Sequence, residues 1–103
     1  MGATQNPGGE ELRVSDNPAA SRYEVYVASA LAGWTDYHLQ PGLITVMHTE
    51  LDPAFEGRRV GSRFVAAVLD DIRRRDLRVL PMCPFVRAFI QRHPEYADLV
   101  WRP

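Results

Sequence analysis

A chain of 103 residues with 46% hydrophobic content supports one domain around a single core and is too short for two. Its formal net charge of −1 creates no global field for nucleic acid or an anionic membrane, so neither is expected as a partner and any anion site must be local. The only cysteine, Cys83, cannot form an internal disulfide. No apolar run is long enough for a bilayer, and Met1 to Gly9 lacks the character of a secretory signal, so a cytoplasmic location is expected. The histidines, His38, His48 and His93, lack metal-ligand spacing, and no metal is expected.

The first fifteen residues are polar and glycine-rich and bury too little to offset ordering entropy, which predicts a disordered tail followed by a domain over residues 16–103. From Arg22 the pattern has period two, with Tyr23, Val25 and Val27 on one face of a strand. Ala30 to Leu39 reads as a second strand, the turn Gln40-Pro41-Gly42 follows, and Leu43 to Glu50 reads as a third. Short links between them predict an antiparallel meander. After the turn-rich Asp52 to Gly61 the period lengthens: Val60, Phe64, Val65, Val68, Leu69 and Ile72 form the apolar stripe of a helix, and Arg73-Arg74-Arg75 complements its C-terminal dipole. Leu77 to Leu80 reads as a returning strand, parallel to the third through a right-handed crossover. Pro81 and Pro84 end that strand, and Phe85, Val86, Phe89 and Ile90 mark a second, short helix that stops at His93-Pro94. Glu95 to Trp101 is a turn plus an apolar segment able to pack or to pair as an edge strand.

Strand, glycine loop and helix in this order build an anion site, because a helix N-terminus offers unpaired backbone N–H groups and the positive end of its dipole. Cys83 stands directly before the second helix, whose N-terminus would stabilise a thiolate. Parallel neighbouring strands open a crevice at their carboxyl ends, which would bring Cys83 and Glu50 to the same end of the sheet. His48 and Glu50, two apart on one strand, share a face opposite Met47 and Thr49, and either could act as a base. Tyr96 can donate a proton in principle, although a tyrosine anchoring the C-terminal segment accounts for it as well.

This succession of elements resembles the acetyl-CoA-binding core of the GNAT N-acetyltransferase superfamily. His48-Thr49-Glu50, the Glu-Gly-x-x-x-Gly of Glu56 to Gly61, Pro81-x-Cys83-Pro84-Phe85-Val86 and His93 to Val100 are more specifically similar to very small GNAT-like proteins with a single cysteine. The resemblance spans Arg22 to Trp101. It implies a compact α/β fold, with an antiparallel meander leading into a strand-helix-strand crossover and a second short helix. It also implies transfer of an acetyl group from acetyl-CoA to an amine acceptor. Acetyl-CoA or CoA is then the co-substrate, its pyrophosphate held by Gly57, Arg58, Arg59, Val60, Gly61 and Ser62, with Cys83, Glu50 and His48 as catalytic candidates. Cys83 would accept the acyl group or stand beside the CoA sulfur. Mapped on the superfamily pattern, Glu56 takes the place of Arg or Gln and Arg59 that of a glycine, while Gly61 matches the last position. A noncatalytic CoA-binding or protein-interaction module on the same fold is the alternative.

Overall fold

A computed structural model describes residues 11–55 and 59–103. The elements follow one another as strand β1 (Leu12–Asn17), β2 (Arg22–Val27), β3 (Ala30–Gln40) and β4 (Leu43–Leu51), helix α1 (Val60–Arg74), strand β5 (Arg78–Pro81) and helix α2 (Pro84–Arg92). Short 3-10 turns cover Pro18–Ala20, Pro53–Phe55 and Pro94–Leu99. The strands form one sheet in the order β1-β2-β3-β4-β5, antiparallel through β4, with β5 parallel to β4. The meander, the crossover and the second helix all stand as the residue pattern predicts.

One boundary differs. Leu12–Asn17 pairs along its whole length with β2, from Leu12 opposite Val27 to Asn17 opposite Arg22, so the ordered sheet begins inside the segment read as a disordered tail. Leu12 and Val14 pack against the core, and two apolar residues in a polar stretch are too weak a signal to announce a strand whose order comes from its neighbour. Residues 1–10 lie outside the described residues.

Tyr23, Val25 and Val27 of β2 and Ile44 and Val46 of β4 are buried with the apolar stripe of α1 and with Val86, Phe89 and Ile90 of α2. At its far end α1 closes with Asp76 at φ 60, its N–H bonded to Arg73 O and that of Leu77 to Ile72 O. These paired bonds satisfy carbonyls that would otherwise be orphaned, and they take Leu77 out of the strand predicted to start there. A polar cluster locks β1 onto this end of α1. The Tyr23 hydroxyl donates to Asp71 (2.6 Å), that of Tyr37 donates to Asp16 (2.6 Å), and Arg75 donates to both Tyr23 (2.8 Å) and Asp16 (3.2 Å). Burial, reinforced by Asp16, pushes the Tyr37 phenol up to about 12.

After the last 3-10 turn, Val100 makes a single parallel bridge to Val79, and the Trp101 N–H donates to Val79 O. Arg73 ties that turn to α1 through Asp98 (2.9 Å) and the Glu95 carbonyl (2.9 Å). No helix among the described residues is long and apolar enough to cross a membrane.

Candidate active site

The crossover creates the site by letting β4 outrun β5. The two strands pair from Leu43 with Arg78 to Val46 with Pro81, and β4 then continues to Leu51. Pro81 has no N–H to carry the ladder onward. Beyond it, the N–H groups of Met82 (3.0 Å) and Cys83 (3.1 Å) both donate to Val46 O, and Pro84 starts α2. The strands therefore separate at their carboxyl ends, where open α/β sheets hold ligands.

A bulge decides what β4 presents there. Tyr37 of β3 pairs with Val46 and Asp36 pairs with His48, leaving Met47 as an extra residue on β4. Ahead of the bulge, Ile44 and Val46 face the core; after it, the parity reverses and Thr49 turns to that side. His48 and Glu50 consequently occupy the opposite face of β4. Their side chains pair at 2.7 Å between Nε2 and Oε2, and both are more than half exposed.

Cys83 is 3% exposed and serves as the N-cap residue of α2 with extended backbone, φ −74 and ψ 123. Its Sγ donates to Thr49 Oγ1 at 3.3 Å, and Thr49 Oγ1 lies 2.8 Å from Thr35 Oγ1. Cys83 and Glu50 thus share one end of the sheet but not one face of it.

The N-terminus of α1 stands across the opening. Arg63 N–H is bonded to Arg59 O, so Val60, Gly61 and Ser62 precede the first intrahelical donor, and Arg59 supplies no side-chain cap. The first turn holds no acidic residue. Arg59 adopts φ 61 and ψ 18, the left-handed conformation for which glycine is the economical choice. Gly61 is required by packing: a Cβ there would sit 2.8 Å from Phe85 Cζ and 2.9 Å from Leu51 Cδ1. Together these groups enclose a cleft of about 540 Å³, with Thr49 and Leu51 from β4, Phe55 and Phe85 as apolar walls, and Arg59 to Ser62 at one end.

Of the residues expected to hold CoA, Arg59, Val60, Gly61 and Ser62 line this one cleft, while Gly57 and Arg58 lie outside the described residues. It did not single out Thr49, Thr35, Leu51, Phe55 or Phe85. Thr49 was the legible one of these, since it lies between His48 and Glu50 and must point the other way. Tyr96 anchors the C-terminal segment: its hydroxyl donates to Asp70 at 2.8 Å, and burial with that carboxylate pushes it up to about 12.

A family model for the GCN5-related N-acetyl-transferases matches residues 22–99. The fold is similar to the solution NMR structure of a GCN5-like candidate N-acetyltransferase from Staphylococcus aureus. That likeness has a TM-score of 0.62 over 88% of this chain and 89% of that one, at 16% identity. A comparison with curated proteins returns no match. With the family match running from β2 to the last 3-10 turn, the chain belongs to the GCN5-related N-acetyltransferase family.

Proposed function

We propose that this protein transfers the acetyl group of acetyl-CoA to an amine, and that the cleft between β4 and α1 receives the CoA. The observation that carries this reading is the uncapped N-terminus of α1, with Arg59 at its head, opening into the cleft beside the parted strands β4 and β5. The residues fit the group. Amides of Val60, Gly61 and Ser62 offer donors to a pyrophosphate, Arg59 adds a positive charge, and no first-turn carboxylate opposes it. Acetyl-CoA supplies the activated acyl group, and the protein's part is to hold it, exclude water with Phe55, Phe85 and Leu51, and manage protons.

An amine acceptor must lose a proton before or during attack. Glu50, paired with His48, is the proposed base, and it reaches the acceptor from the exposed face of β4. Cys83, behind Thr49, either takes the acyl group from the CoA sulfur or stands beside that sulfur during direct transfer. The free thiol suits a reducing compartment such as the cytoplasm.

A second reading, a CoA-binding module without catalysis, is favoured by the separation of Cys83 from His48 and Glu50 across the sheet. Titration with acetyl-CoA followed by backbone NMR tests binding: amide shifts centred on residues 59–62 support the site, and shifts confined to α2 or the C-terminus reject it. Acetylated amine formed only with both enzyme and acetyl-CoA separates transferase from module. Acetyl mass on Cys83, absent in Cys83→Ala and discharged by added amine, marks the covalent route.

A further inference from the structure

Behind the cleft wall runs a chain of three small polar side chains whose proton direction is determined. Thr35 is 2% exposed, and its single hydroxyl proton goes to the His48 carbonyl at 3.0 Å. Thr35 can then only accept at its 2.8 Å contact with Thr49, which makes Thr49 the donor there. With its own proton spent on Thr35, Thr49 meets Cys83 at 3.3 Å as an acceptor, and the proton between them is the one on sulfur. Every member points the same way, from Cys83 through Thr49 and Thr35 to the backbone of β4.

We infer that Thr35, acting through Thr49, is a positioning residue that keeps the Cys83 thiol protonated and turned toward β4. A thiolate in this place would face an oxygen lone pair. To receive a hydrogen bond, the sulfur requires Thr49 to swing its proton away from Thr35, and Thr35 must either lose a donor or release the His48 carbonyl. The first move takes a hydrogen bond from the buried Thr35 hydroxyl, and the second takes one from the His48 carbonyl.

Charged groups on the packed elements do not substitute for this control. His48 and Glu50 lie on the opposite face of β4 and Asp36 pairs across from His48. Arg78 of β5 and Arg87 of α2 are exposed, and Arg59 on the cleft is exposed as well. The inference rests on the proposed function only in taking Cys83 as part of the acyl-transfer site, since Thr49 lines the cleft and Cys83 does not.

The test uses the full chain, whose only cysteine makes the signal unique. Thiolate ultraviolet absorbance and the rate of alkylation by iodoacetamide are measured at about pH 7, below the ordinary range of a thiol, where little thiolate is present. Thr35→Val frees the Thr49 proton to turn to sulfur. The thiolate fraction and the alkylation rate should therefore rise by up to about tenfold, the low end of what a hydrogen bond to an ionised acceptor supplies. Thr35→Ser keeps the hydroxyl and should match the parent. Thr49→Val removes the donor itself and should show no rise in absorbance. Thr35→Ala replaces Thr35→Val, under the same criterion, if circular dichroism shows the valine variant unfolded.

Unchanged absorbance on deleting the Thr35 hydroxyl, or equal rises in the Thr35 and Thr49 variants, overturns the inference, the latter because general loosening explains it. Neither readout involves acyl transfer. Loss of the relay thus leaves CoA binding standing, and a chain that binds no CoA but responds as described retains the relay and loses the proposed function.

Discussion

Substituting Gly61 by alanine inserts one methyl group between α1 and two walls of the cleft. The new carbon would lie 2.8 Å from Phe85 Cζ and 2.9 Å from Leu51 Cδ1, whereas carbon atoms in ordinary contact sit about 3.5–4.0 Å apart. Each neighbour must retreat by about 0.7 Å, and both are side-chain ends able to turn. Overpacking of this kind costs about 1–3 kcal/mol, against at most about 1 kcal/mol gained by replacing glycine in a helix. The net loss of stability should therefore be about 0–2 kcal/mol, readable as a lower urea midpoint with an unchanged slope. The displaced Phe85 ring and Leu51 methyl line the cleft, so part of the cost is transferred to the ligand. CoA affinity measured by calorimetry should fall by about tenfold, equivalent to about 1.4 kcal/mol. A stability loss with unchanged CoA affinity would refute the cleft as the CoA site. No change in either quantity would refute the packing of Gly61 against Phe85 and Leu51.

Arg59→Gly relieves the left-handed backbone at the head of α1 and should raise stability by about 1 kcal/mol in chemical denaturation. The same variant should bind CoA more weakly, with a shallower salt dependence, because a positive charge leaves the cleft. Glu50→Gln should lower kcat for amine acetylation at least tenfold with little change in KM for acetyl-CoA, and equal turnover removes Glu50 from the mechanism. Tyr37 is raised from the ordinary 10 to about 12 by burial and then by Asp16. Its contribution is present in full below pH 10 and lost as the pH rises through about 12. Tyr37→Phe should accordingly flatten the alkaline fall of stability between those values, followed by near-ultraviolet circular dichroism.

The order of elements was legible in the chain because each rests on a local signal: the alternation of Tyr23, Val25 and Val27, the stripe from Val60 to Ile72, and the prolines on either side of Cys83. The open N-terminus of α1 was legible for the same reason, since a helix N-terminus is a local property of the backbone. Strand β1 was not, because Leu12–Asn17 owes its order to β2 and to the clamp of Asp16 with Tyr37 and Arg75. Nor did the sequence reveal the partner of Cys83. Alternation correctly put His48 and Glu50 on one face and Thr49 on the other, but which face meets the core depends on the extra residue at Met47. A bulge is settled by the register between two strands, so only the assembled sheet turned Thr49 toward Cys83 and His48 and Glu50 toward solvent.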